Sequence, residues 1–181
     1  MKDLEKDRII LEIGYISIQF NSFELLINEL NASLINVSNP EIGHLILCSY
    51  TISKKCELCK ELINLFPLKK DLKDELIYIL KEFELVRKER NKFAHGFLHD
   101  VYDELDNKID GFYIHNLKNF SINSVKLELK EIKQIREKLQ ELIIKQGKLN
   151  VKLVVEYQRF LLEKESKMKK VSDMLAKDQT F

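Results

Sequence analysis

The chain has 181 residues, 45% of them hydrophobic, with 5 Gly, 2 Pro and a formal net charge of +1. That length and apolar content suit a domain with its own core and exclude intrinsic disorder, and so few Gly and Pro argue against a turn-rich β fold. Near-neutral charge means that any nucleic-acid contact must come from a local basic patch rather than from the field of the whole chain.

The first predicted element is one long helix over residues 3–35. Ile9, Ile10, Ile13, Ile16, Phe20, Phe23, Leu26, Ile27 and Leu30 recur there at helical spacing. Asn39-Pro40-Glu41 marks a second start, with Asn39 as N-cap and Pro40 at the first helical position. That helix is expected to continue to about Leu65, where Phe66-Pro67 ends it. A third helix is predicted from Lys70 to His95, with Gly96 placed for a left-handed C-terminal cap.

Residues 97–127 change character. Asp106, Asn107, Asp110 and Gly111 form turns, and Phe112-Tyr113-Ile114 favours a strand. Phe97–Tyr102 and Gly111–Asn116 therefore read as a short hairpin or an ordered loop. The alternation of Val125, Leu127 and Leu129 delays the next helix until about Leu129. Ile132, Ile135, Leu139, Leu142, Ile143 and Leu149 then carry it to about Leu162, with a frayed charged extension from Glu163. No repeat and no linker is visible. The expected architecture is all-α, a four-to-five-helix up-down bundle with a short irregular or β-hairpin segment after the third helix. It would span residues 1–165, followed by a charged tail over 166–181.

Three Cys are an odd number and suggest no disulfide framework. No apolar run approaches the ~20 residues of a membrane span, and Met1-Lys2-Asp3-Leu4-Glu5 does not read as a signal peptide. A reduced, cytoplasmic setting is the expectation. Cys56-Glu57-Leu58-Cys59, with His44 and Cys48 nearby, has the residue types of a zinc site. Placed on one continuous helix, Cys48 and Cys56 would stand ~12 Å apart along the axis, too far for shared ligation. The cysteines are read as buried small hydrophobes, and no metal or cofactor is expected.

The third helix carries the chemistry. Ile79, Phe83, Val86 and Phe93 share one stripe, and Arg90 falls in its middle. A cation on an apolar face needs a partner or a purpose. Glu84, Lys88, Asn91 and His95 cluster on the other side, with Arg87 between the two sets. Arg90 and His95 therefore do not share a face, and two copies meeting on a two-fold axis would bring both into one cleft. The alternatives are plain: Arg90 ion-paired to a carboxylate on a neighbouring helix, and His95 capping a helix C-terminus.

Glu89-Arg90-Asn91-Lys92-Phe93-Ala94-His95-Gly96 resembles the Arg-Asn-x-x-Ala-His-Gly signature of HEPN domains. The likeness in helix order covers about residues 5–165, and the residue-level match is confined to 89–96. The resemblance implies a homodimer whose paired motifs form one metal-independent site on RNA. His95 would act as general acid or base, Arg90 would bind the scissile phosphate, and Asn91 would orient one of these groups. The reaction implied is attack by the ribose 2′-OH, leaving a 2′,3′-cyclic phosphate and a free 5′-OH, so DNA would be spared. Arg87, Lys88 and Lys92 would hold flanking phosphates, or else form a solvated helix face. Tyr102, Phe112 and Tyr113 are candidates for base stacking or for packing onto the bundle. Such chains act as toxins of toxin–antitoxin pairs or as antiviral defence effectors, restrained by an antitoxin or regulatory partner. The other reading is a non-catalytic HEPN dimer that binds RNA, a nucleotide or a protein.

Overall fold

The computed structural model describes residues 2–36, 38–94, 97–102, 108–118 and 121–178. It is a helical bundle with five helices among the described residues: α1 (Lys2–Ile35), α2 (Pro40–Leu47), α3 (Ile52–Leu65), α4 (Lys70–Ala94) and α5 (Leu129–Asp178). Between α4 and α5 the backbone runs as β1 (Phe97–Tyr102), β2 (Lys108–Lys118) and β3 (Ser121–Leu127). These form an antiparallel sheet in the order β1-β2-β3, with Leu98 opposite Ile114 and Ile114 opposite Val125.

Between α4 and α5 three strands stand where the sequence suggests a two-strand hairpin or a loop, and Asp110 and Gly111, read as turn formers, lie within β2. Two helices also differ from the sequence expectation. The single helix predicted over 39–65 is broken into α2 and α3. Asn39 caps α2 by accepting from the Glu41 amide at 3.2 Å, and Pro40 occupies its first turn. Thr51 then opens a new helix, its extended backbone and hydroxyl capping the Lys54 amide. No Pro or Gly marks this break, because a Thr cap suffices to start a helix afresh. His44 and Cys48 consequently lie on or at the end of α2, and Cys56 and Cys59 on α3. The axial spacing that one continuous helix would impose on them does not apply. The second difference is the end of α5, which continues beyond Leu162 to Asp178. The apolar pattern stops there, but Glu, Lys, Leu and Met keep strong helix propensity without it.

The chain forms two compact units, residues 1–23 with 78–145 and residues 24–77 with 146–181. In the first, Ile9, Ile16, Phe20, Phe23, Ile79, Leu80, Phe83, Leu139 and Leu142 are buried. Phe83 anchors this core. Its ring centroid lies 3.9 Å from that of Phe23 and 5.0 Å from that of Phe20, both stacked. Glu12, 8% exposed, sits 3.2 Å from Arg136 of α5, although the contact lacks hydrogen-bond alignment. Lys138 pairs with Glu82 at 3.0 Å, and that hydrogen bond raises the Lys138 amine above its ordinary range.

In the second unit Ile27, Leu30, Leu34, Leu47, Ile63, Leu76, Leu149 and Leu153 are buried. Gly43 of α2 lies against the α1 backbone: a Cβ there would stand 2.5 Å from the Ala32 Cα. Only glycine allows that approach. Side-chain amides link the helices. Asn31 Nδ2 donates to the Lys55 carbonyl at 2.8 Å, and Asn150 Nδ2 donates to the Leu26 carbonyl at 2.7 Å. Gln146 in turn donates to Asn150. Lys55 pairs with Glu24 at 3.2 Å, and Phe66 packs on Tyr157 with ring centroids 4.2 Å apart.

Over Leu4–Ile35, α1 is long and apolar enough to cross a membrane by length and composition alone. From Ile9 to Asn28 its only charges are Glu12 and Glu24, and both are engaged by cations of other helices.

Candidate functional site

Arg90 lies four residues before the end of α4, on the face whose Ile79, Phe83 and Val86 are buried. The stripe predicted from spacing is thus the packed one. A guanidinium on that face is tolerated because it lies over an aromatic ring. The Arg90 Cζ is 4.7 Å from the centroid of Phe20, whose ring also stacks on Phe83. The ring's negative face meets the cation and recovers part of its desolvation cost.

No carboxylate ion-pairs with Arg90 among the described residues. Its Nη1 donates to Asn91 Oδ1 at 3.2 Å. Its Nε is closed to solvent and has no hydrogen-bond partner among the described residues. The residue as a whole is only partly buried, so the Nη end is the part that can meet a ligand. A half-desolvated guanidinium supported by an amide and a ring, with no anion of its own among the described residues, is chemically a receptor for phosphate or carboxylate.

The neighbouring cations are arranged differently. Arg87 directs Nε at 2.8 Å and Nη2 at 2.5 Å to the two oxygens of Glu84. Lys92 pairs with Glu89 at 2.5 Å. Lys88 is exposed. The i,i+3 spacings that create these pairs are present in the sequence, and they spend on carboxylates the charge expected for flanking phosphates.

His95 and Gly96, on which the acid–base role and the C-terminal cap were placed, lie outside the described residues, as do Asp106 and Asn107. Further along, His99 pairs in register with Tyr113 and His115 with Phe97, while Tyr102 pairs with Lys108 and Phe112 with Leu127. The residue that sequence reasoning missed is Phe20. It stands 70 positions from Arg90, and nothing local in either segment announces the pair.

The cysteine cluster carries different chemistry. Cys59 is fully buried, and desolvation, reinforced by nearby Cys56, raises its thiol far above the ordinary range. Such a thiol is neither a nucleophile nor a ready metal ligand. Cys48 is exposed and donates to the Leu45 carbonyl. His44 places Nδ1 at 2.8 Å from the Asn28 amide and Nε2 at 3.4 Å from Glu29. Among the described residues no group of three His, Cys, Asp or Glu could hold a metal ion.

Comparison with protein-family models, with curated proteins and with solved structures found no match in any of the three.

Proposed function

We propose that the chain is a metal-independent endoribonuclease of the HEPN type, acting as a homodimer. Two motif-bearing ends of α4 would share one RNA cleft. The observation that carries this reading is Arg90: a partly buried guanidinium, braced by Phe20 and Asn91, with no carboxylate partner among the described residues. A merely structural arginine at such a site would be paired.

In the proposed reaction one His95 accepts the proton of the ribose 2′-OH as that oxygen attacks phosphorus. The His95 of the second copy protonates the departing 5′-oxygen. Arg90 holds the non-bridging oxygens as negative charge grows on them. Asn91 keeps the guanidinium in its fork orientation through the Nη1 contact. The products are a 2′,3′-cyclic phosphate and a 5′-OH end. The biological setting proposed is cytoplasmic, as a toxin held by an antitoxin or as an antiviral defence effector.

One observation favours a second reading, a non-catalytic HEPN dimer that binds RNA, a nucleotide or a protein. Arg87 and Lys92 are both committed to carboxylates, which leaves the rim of the site less basic than an RNA channel would be. A single experiment separates the two. The parent, His95→Ala and Arg90→Met are incubated with single-stranded RNA in EDTA, and product ends are identified by mass. Cyclic-phosphate products from the parent alone support the enzyme. RNA binding by the parent, weakened in Arg90→Met, with no cleavage by any of the three assigns the second reading.

A further inference from the structure

The outer face of α1 points to a second site of self-association. This conclusion stands apart from the proposed chemistry and uses the face of the helix opposite its buried stripe. Ile9, Glu12, Ile16, Phe20 and Phe23 line the inner side of α1. About 180° away, Leu4, Leu11 and Ile18 follow at seven-residue intervals and are 65%, 56% and 64% exposed. Tyr15 lies beside them at 46% exposed, with Gly14 between. Seven-residue spacing of apolar side chains is the pattern by which one helix lies along another. The first unit buries α1 on one side only.

Gly14 sharpens the reading. It sits in the interior of a 34-residue helix, where glycine is destabilising relative to alanine. A Cβ at this position would meet nothing within 4 Å. Packing within the chain therefore does not demand glycine here. A helix crossing at Gly14 would, because the missing side chain lets two backbones approach closely.

We infer that two copies of the chain pair through this face, with their α1 helices antiparallel and crossing at Gly14 on a two-fold axis. The geometry is self-complementary. The Leu11 side of one helix meets the Ile18 side of its partner, and each Tyr15 closes the space beside the crossing. Asp7 and Arg8 then approach the uncharged Asn21 and Ser22 of the other copy. A parallel pair would instead set Asp7 beside Asp7 and Arg8 beside Arg8, which like-charge repulsion disfavours. At roughly 100 Å² for each half-exposed large side chain, the four apolar residues give about 400 Å² per copy. Adding the flanking polar residues brings the pair to roughly 1,200 Å², the lower end for a specific interface.

The test measures mass in solution and proximity at the axis. Leu11→Glu/Ile18→Glu changes only exposed positions, so its far-UV circular dichroism should match the parent's. By light scattering the parent should show at least two copies, and the double variant should show half the parent's mass. In a Cys48→Ser background, Leu11→Cys/Ile18→Cys, which leaves Gly14 in place, should cross-link between copies under mild oxidation, while Glu137→Cys, also exposed, should not. A mass unchanged by the Leu11→Glu/Ile18→Glu variant, or no cross-link in Leu11→Cys/Ile18→Cys, overturns the inference. So does a parent that is a single copy in buffer and floats with phosphatidylcholine vesicles, which would assign this face to lipid. RNA cleavage is scored separately in the same variants, so failure here leaves the reading of the Arg90 site untouched.

Discussion

The contact between Arg90 and Phe20 can be measured by a double-mutant cycle. Phe20→Leu keeps an apolar group of similar volume and removes the ring, and Arg90→Met keeps the straight stem and removes the cation. At 4.7 Å the guanidinium is well inside the range of a ring contact. Because Arg90 is partly buried, its coupling should fall between the exposed and desolvated limits, at about 1 kcal/mol. Phe20→Leu alone should cost about 1–2 kcal/mol, since it also loses the stack on Phe83. The cycle removes that second term, because Arg90→Met does not touch it. Urea unfolding followed by circular dichroism reads each variant. With a slope near 2 kcal/mol per molar, 1 kcal/mol moves the midpoint by about 0.5 M. A coupling below about 0.3 kcal/mol would mean that the ring does not hold the cation, and the account of Arg90 as a braced anion receptor would fall. If the coupling is found, Phe20→Leu should also slow RNA cleavage about fivefold, the rate equivalent of ~1 kcal/mol lost in positioning.

Two further outcomes follow from the second unit. Gly43→Ala should destabilise the chain by more than about 2 kcal/mol despite alanine's better helix propensity, because its Cβ would meet the Ala32 backbone. Thermal unfolding should show a loss of about 5 °C, and a stabilised variant would disprove the close approach of α2 to α1. Cys59 should make stability fall with alkali. Its thiol keeps its proton in the folded state at pH values where the unfolded chain releases it. Its contribution is therefore complete below about pH 8.5 and declines above it by up to about 1.4 kcal/mol per pH unit. Denaturation at pH 8 and pH 10 should show a smaller pH dependence in Cys59→Ala than in the parent; equal slopes would refute the assignment.

Helices with strong apolar periods were legible from sequence almost to the residue. The expected 3–35, the start at Lys70 and the start at Leu129 became Lys2–Ile35, Lys70–Ala94 and Leu129–Asp178. What escaped depended on weaker or more distant causes. The break before Thr51 rests on one hydroxyl and its backbone angle, with no glycine or proline to flag it. The alternation at Val125 and Leu127 belongs to a third strand, β3, where they pair with Ile114 and Phe112, eleven and fifteen residues earlier. At the site, the place of Arg90 on a buried stripe was readable because helical spacing is local. The ring beneath it was not, because the tertiary fold alone brings Phe20 to Arg90. The pairing of Arg87 with Glu84 was readable from i,i+3 spacing, and it leaves that arginine with little charge to offer a phosphate.

The amides buried between α1, α3 and α5 have a consequence for how this bundle finds one arrangement. Surfaces of leucine and isoleucine are nearly interchangeable, and a helix displaced by a turn still presents grease to grease. Asn31 and Asn150 do not tolerate such slippage. Each finds a backbone acceptor on another helix at one axial setting, so a displaced α3 would strand the Asn31 amide and a displaced α5 the Asn150 amide, at about 1–3 kcal/mol apiece. They act as index pins, selecting a single alignment from many that the aliphatic side chains alone would accept.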